Sequence, residues 1–315
     1  MSATRALGIV LGHALDRAVG DPRRGHPVAA FGRLAAALER HTWADSRSRG
    51  VTHSAVLTGG AVAVGLLAER ATRGRPVLHV AATAGATWAV LGGTTLGREA
   101  TAVHGLLAAG DLPAARRRLT HLVGRDTAQL DESEVARAVV ESVAENTSDA
   151  VVAPLVLGAV AGMPGLLGYR AANTLDAMVG HRSQRYRSFG WASARLDDLL
   201  NLPGSRATGA LAAALAPTVG GRPVDALAAW RRDARHHPSP NAGVAEASYA
   251  GALGLCLGGL TPYPYGVEHR VVMGDGRPPA AADIDRAVRL SRRVGLAAVV
   301  LAALAARRVG ASAHS

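Results

Sequence analysis

Residues 141–169 read E-S-V-A-E-N-T-S-D-A-V-V-A-P-L-V-L-G-A-V-A-G-M-P-G-L-L-G-Y, an acidic, amide-bearing segment that runs directly into 20 residues (150–169) without Asp, Glu, Lys or Arg. At 1.5 Å of rise per residue, such a window matches the roughly 30 Å hydrocarbon core of a bilayer. Windows of 18 and 22 residues at 51–68 and 76–97 are equally free of charge. Shorter apolar stretches at 207–221 and 294–306 extend the pattern, the second bracketed by arginines whose stems can reach the headgroups. The expected fold is therefore all-α: a polytopic integral membrane protein of about four to six transmembrane helices with polar helical loops, one membrane domain over 1–315. Residues 247–267 are also uncharged, but Gly258, Gly259, Pro262 and Pro264 predict a re-entrant or surface loop in their second half.

Composition narrows the partners. All 35 basic residues are Arg, and against 24 acids they give a formal charge of +11, which favours anionic lipid or phosphorylated substrates. Nucleic acid is not expected, because aromatics are 3% of the chain and the arginines form no stripe with stacking residues. Without Lys, neither a Walker-A phosphate loop nor Schiff-base catalysis is available. The single Cys256 excludes an intrachain disulfide. Ala6 to Leu15 is a short apolar run followed by Asp16 and Arg17, which does not read as a signal peptide.

Chemistry-bearing residues gather at the edges of the 150–169 window. On one helix face Glu141 and Glu145 stand four apart, with Asn146 and Asp149 beside them. Charged groups tucked against apolar spans are costly to bury and mark functional sites. Beyond the window come Asn173 and Asp176, three apart, and then the D-D-x-x-N group of Asp197, Asp198 and Asn201, with Arg195 close by. Paired carboxylates with an amide suit Mg²⁺, which takes few protein ligands, so Asp197 and Asp198 are the candidate metal pair. Arg182, Arg185 and Arg187 offer guanidinium donors for phosphate or carboxylate. In the tight loop H-P-S-P-N-A-G, Ser239 and Asn241 are candidate ligand contacts, whereas His236 and His237 lack helical metal-ligand spacing. Arg23 and Arg24 form a candidate anion-binding pair in a turn-rich segment.

In chain order, G-D-P-R-R-G-H-P-V-A-A-F-G, E-S-V-A-E-N-T-S-D-A-V-V-A-P-L, Y-R-A-A-N-T-L-D-A-M-V-G, F-G-W-A-S-A-R-L-D-D-L-L-N and H-P-S-P-N-A-G resemble the CobD/CbiB family of cobalamin-biosynthesis membrane proteins. This resemblance implies a multi-pass enzyme of the inner (cytoplasmic) membrane, an adenosylcobinamide-phosphate synthase. Such an enzyme uses ATP and Mg²⁺, without a bound prosthetic group, to join the free propionate of adenosylcobyric acid to aminopropanol phosphate as an amide. Ethanolamine phosphate is the alternative amine. In that reading Glu141 or Glu145 is the general base, Asn146, Asn173 and Asn201 orient substrate, Asp197, Asp198 and Asp176 hold the metal, and the arginines bind phosphate. Two alternatives stand beside it: a non-catalytic membrane regulator related to the family, and a Mg²⁺-dependent intramembrane prenyl or phosphoalcohol transferase.

Overall fold

The computed structural model describes residues 2–22, 25–181, 183–263 and 266–311. Among the described residues twelve α-helices and one hairpin follow in order: α1 Ser2–Val19, α2 Pro27–Thr42, α3 Arg47–Thr72, α4 Pro76–Val90, α5 Gly93–Ala108, α6 Leu112–Leu119, α7 Glu132–Thr147, α8 Ala153–Leu175, α9 Trp191–Leu215, α10 Pro223–Asp233, α11 Ala242–Leu253, β1 Leu257–Tyr263, β2 Gly266–Met273 and α12 Ala281–Ala311. Single π-helical segments, Ser148–Val152 and Asp176–Gly180, precede and follow α8. Contacts divide the chain into two compact units. The first holds Met1–Gly92, Asp149–Gly204 and Ala298–Ser315; the second holds Gly93–Ser148 and Ser205–Ala297.

Three stretches among the described residues are long and apolar enough to cross a membrane: Arg47–Thr72, Pro76–Ala108 and Glu132–Gly180. The predominantly helical, membrane-type architecture expected from the sequence is the one observed, with three suitable stretches against the expected four to six. The shorter candidate spans at 207–221 and 294–306 are helical, within α9 with its 3-10 extension and within α12, but are not among those three.

In the first unit the usual distribution of side chains is inverted along α3. Its interior face consists of Gly50, His53, Ser54, Leu57, Gly65 and Glu69, while Val56, Val64, Leu66 and Leu67 point outward and are exposed. An outward apolar surface suits a hydrocarbon solvent, and small or polar residues suit the helix interface there. Gly8 and Gly12 of α1 meet Thr83 and Thr87 of α4 so closely that a Cβ at either glycine would overlap them. This small-xxx-small spacing lets the two backbones approach.

α8 is not a straight span. Gly162 takes φ +67°, and Pro164 follows inside the helix, so backbone groups around the kink lose their helical partners. Glu69 Oε1 accepts from the Met163 N–H (3.1 Å), and Arg5 donates to the carbonyls of Ala159 (3.4 Å) and Val160 (3.2 Å). Glu69 Oε2 pairs with His79 Nε2 at 3.0 Å. These buried charges therefore serve the kink.

In the second unit α7 is the central element. Its start is closed by a capping box, with Asp131 accepting from the Glu134 N–H and Glu134 accepting from the Asp131 N–H, as the acid-rich opening of this helix predicts. Val135, Val139, Val140 and Val143 are fully buried. The loop expected in the second half of 247–267 is instead an antiparallel hairpin, β1 with β2, whose register breaks between Leu257 and Gly259. The glycines that argued against helix serve the bulge, and the pairing partner is the strand that follows directly in the chain, from Gly266.

Candidate active site

Glu141 and Glu145, equivalent in the sequence, have different surroundings in the second unit. Glu141 is 1% exposed. Its Oε2 accepts from Arg125 at 2.6 Å and from Arg270 at 3.2 Å, and its Oε1 accepts from the Gly258 N–H at 2.8 Å. That N–H is released from the ladder by the bulge, where Gly258 takes φ +83°, a conformation that suits glycine. One turn further on, Glu145 faces a cavity of about 460 Å³ whose walls include Arg125, Ser142, His236, His237, Glu268 and Arg270. Glu145 lies within the electrostatic reach of both Arg270 and Arg125.

Arg270 organises this cavity. Besides Glu141 it donates to Glu246 Oε1 at 3.0 Å and to His237 Nε2 at 3.0 Å. A guanidinium only donates, so Nε2 is the lone-pair nitrogen and His237 Nδ1 carries the proton, donating to the Ser239 carbonyl at 3.1 Å. Burial, together with Arg270, holds the His237 pKa below its ordinary value, which keeps the ring neutral. Glu246 is wholly buried, and that burial pushes its pKa up to about 8 against the opposing pull of Arg270.

The other acids belong to the first unit. Asn201 donates to Asp149 Oδ1 at 2.6 Å, Asn173 to Asp197 Oδ1 at 3.3 Å, and Arg170 to Asn173 Oδ1 at 3.4 Å. Asp149, Asp176 and Asp197 all lie within electrostatic reach of the Tyr169 hydroxyl, and Asp21 joins Asp149 and Asp197 around Arg170. Four of the five sequence motifs therefore contribute to this cluster, through Asp21, Asp149, Arg170 with Asn173, and Asp197 with Asn201. The E-S-V-A-E-N-T-S-D motif serves both units, sending Glu141 and Glu145 to one and Asp149 to the other.

Several expected roles require correction. Asp197 and Asp198, the candidate metal pair, have different neighbours: adjacent helical residues diverge by about 100°, and whereas Asp197 turns inward to Asn173, Asp198 sits with Arg195 at 3.4 Å. Partial burial raises the Asp198 pKa, against the effect of Arg195, and among the described residues no three His, Cys, Asp or Glu side chains are arranged to hold a metal. Arg195 pairs with Asp198 on a side chain that is 64% exposed. Arg185 is a tether, donating to Glu39 at 3.0 Å and lying 4.4 Å over the Trp43 ring, while Tyr186 donates to the same Glu39 at 2.9 Å. Arg187 is exposed; Arg182, Arg23 and Arg24 lie outside the described residues.

Asn146 turns back along its own helix, donating to the Ser142 carbonyl at 2.9 Å. Ser239 Oγ accepts from the Asn241 and Ala242 N–H groups at the start of α11, and Asn241 Oδ1 accepts from Ser205 and Arg206, each at 2.8 Å. Ser239 and Asn241 thereby shape the turn that follows His236, His237 and Pro238, which line the cavity. Sequence reasoning left Arg125, Arg270 and Glu246 unassigned. For Glu246 a signal existed, a lone carboxylate inside the run A-G-V-A-E-A-S-Y-A-G; the two arginines resembled many others.

The family described as CobD/Cbib protein matches residues 9–291. A Mycobacterium tuberculosis (strain ATCC 25618 / H37Rv) protein named cobalamin biosynthesis protein CobD is 55% identical over 303 residues, covering 96% of each chain. Proteins of the same name from Geobacter metallireducens and Rhodobacter capsulatus are 44% and 42% identical, covering 92% and 93% of this chain and 93% and 97% of their own. No solved structure matches significantly.

Proposed function

The chain belongs to the CobD/Cbib family, and from that premise we propose that it serves cobalamin biosynthesis as a multi-pass enzyme of the cytoplasmic membrane, forming the amide between the free propionate of adenosylcobyric acid and aminopropanol phosphate. The observation that carries the reading is the polar cavity of the second unit, where Glu145 faces space framed by Arg125, Arg270 and His237.

At neutral pH the two reactants are a carboxylate and an ammonium, which do not condense. The acid needs an activated acyl group, the task of ATP and its Mg²⁺ in this reading, and the amine must lose a proton. Glu145 is the base: unlike Glu141 it accepts no hydrogen bond from the described residues, and it borders open space. Removing the proton frees the nitrogen lone pair to attack the acyl carbon, and the activating group leaves with its bonding electrons. Arg125 and Arg270, already aligned by Glu141, offer guanidinium faces for the phosphate of the amine substrate. Glu141 acts through them as a positioning residue. The corrin ring is far larger than the cavity, so only the small phosphoamine enters it.

The test is direct. Detergent-solubilised protein is incubated with adenosylcobyric acid, aminopropanol phosphate and ATP, and adenosylcobinamide phosphate is sought by mass spectrometry. Product that depends on all three substrates is expected. Its absence from protein that retains its fold removes the reading and favours a regulatory role.

A further inference from the structure

Residues 181–188 join the motif that ends at Gly180 to the one that begins at Phe189, and the chain there packs on the first turns of α3. A Cβ at Gly50 would overlap the Phe189 carbonyl, the His53 and Phe189 rings stand 5.1 Å apart, and the Ser54 and Ser193 hydroxyls meet at 2.7 Å. This placement follows from the direction of α8. It runs antiparallel to α3, with Met163 and Pro164 against Gly65 and Gly168 against Val62, so the chain leaving α8 arrives where α3 begins.

α3 fixes the depth of this surface. Its 26 residues extend about 39 Å at 1.5 Å per residue, more than the roughly 30 Å hydrocarbon core of a bilayer. The uncharged window starts at Val51, so Arg47 and Arg49 stand just outside it, at the level of the headgroups. Two tryptophans lie at the same end, Trp43 and Trp191, which are 39% and 41% exposed. Arg185 lies 4.4 Å over the Trp43 ring and Arg47 5.3 Å over the Trp191 ring, and the Trp43 indole N–H donates to the Arg185 carbonyl at 3.3 Å. Half-exposed indoles at the end of an apolar span are side chains that a headgroup layer holds.

Charge selects among headgroups. Arg47, Arg49, Arg185 and Arg187 are exposed, and Asp45 is the exposed acid between Trp43 and Arg47. Arg185 is committed in part to Glu39, whereas Arg47, Arg49 and Arg187 have no ion-pair partner among the described residues. A zwitterionic headgroup brings its own ammonium and leaves these cations without net compensation. A headgroup of net negative charge supplies it, its phosphate oxygens accepting from the guanidinium edges. A soluble phosphate would meet the cations and leave the indoles in water.

We propose that Trp43, Arg47, Arg49, Arg185, Arg187 and Trp191 form a docking surface for anionic phospholipid headgroups, which holds the segment between the two motifs at the membrane surface. Lipid phosphate, and not a substrate, is then the partner of Arg185 and Arg187. The proposal needs no substrate and stands apart from the amide-forming reading above.

The full-length protein is reconstituted into vesicles of phosphatidylcholine and phosphatidylglycerol in equal amounts, with bromines near the carbonyl end of the acyl chains of one lipid or the other. Tryptophan quenching then reports which lipid lies beside the rings, the signal of Trp88 and Trp230 being subtracted with the Trp43→Phe/Trp191→Phe protein. Phosphatidylglycerol is expected to be enriched at least about fivefold beside Trp43 and Trp191, and the enrichment is expected to fall as salt is raised. The Arg47→Gln/Arg49→Gln/Arg187→Gln variant spares the Glu39 tether; its enrichment is expected to drop close to one, with a melting temperature in micelles near the native value. Should that variant not fold, Arg49→Gln and Arg187→Gln singly are each expected to lower the enrichment by at least about 1.5-fold. Equal quenching from the two lipids in the native protein, or unchanged enrichment in the folded variants, overturns the proposal. So does an absence of quenching by either lipid, which would place the surface in water or against another protein. Turnover is not measured, so the ligase reading survives either result.

Discussion

Glu141 and Glu246, 105 residues apart in the chain, share one guanidinium: Arg270 donates to Glu141 Oε2 at 3.2 Å and to Glu246 Oε1 at 3.0 Å. Both carboxylates are buried, with side chains 2% and 0% exposed. Removing the cation leaves the buried Glu141 charge to Arg125 alone and Glu246 without its donor. Arg270→Met is expected to destabilise the protein by about 3–5 kcal/mol, measured by denaturant unfolding of the second unit's signal in micelles. A loss below about 1 kcal/mol contradicts the central role given to Arg270.

The two α7 carboxylates separate in a paired experiment. Glu145→Gln is expected to lower kcat by a factor of about 10²–10⁴ with little change in melting temperature, since Glu145 borders the cavity. Glu141→Gln is expected to lower the melting temperature, because it weakens contacts to Arg125, Arg270 and Gly258. Steady-state kinetics and thermal unfolding on both variants check this. The reverse pattern would assign the base to Glu141.

Glu246 makes stability depend on pH in a defined direction. Its pKa rises from an ordinary 4.5 to about 8 in the folded protein, so between those values the native state holds a proton that the unfolded chain has lost. Its stabilising contribution is complete below about pH 4.5 and is lost as pH rises through about 8. The unfolding free energy of the native protein minus that of Glu246→Gln is expected to fall across this window. His237, whose pKa is lowered, acts in the opposite sense below its ordinary 6.5, and the difference between the two proteins largely cancels it. A flat difference curve would show that Glu246 ionises normally.

Asp197 and Asp198 should be unequal. Asp198→Asn touches a half-exposed pair with Arg195 and is expected to leave turnover within about twofold and stability within about 0.5 kcal/mol. Asp197→Asn alters a buried acid bonded to Asn173 and is expected to exceed both limits. Equal, severe losses of kcat in both variants would restore the two-Asp metal pair.

The bulge at Gly258 links strand geometry to the site. A side chain there would collide with the Val271 carbonyl in addition to requiring φ +83°, so Gly258→Ala is expected to cost about 1–3 kcal/mol. It also withdraws an N–H from Glu141. Stability equal to the native protein in thermal unfolding would show that the hairpin relaxes freely.

Much of the architecture follows from short-range pattern. The uncharged windows at 51–68, 76–97 and 150–169 locate the stretches long and apolar enough to cross a membrane, because hydrocarbon excludes charge over a fixed thickness, and the acids of 131–134 announce the start of α7 through local capping. Helical spacing likewise puts Glu141 and Glu145 on one face. The partners that steady the kink at Gly162, Glu69 and Arg5, were not legible in this way because they come from distant helices; the β1–β2 hairpin is local, but its glycines and prolines read equally as a loop.

Local sequence by itself determined which segments are helical, which can enter a membrane, and which acids and amides stand beside them, because hydrophobic period and capping act over a few residues. Tertiary structure decided which of those groups faces what. Arg270 reaches Glu141 across 129 positions and Asn201 reaches Asp149 across 52, so the division between a held carboxylate and one open to a cavity, or between an inward and an outward aspartate, arises only when distant backbone brings the partner within about 3 Å.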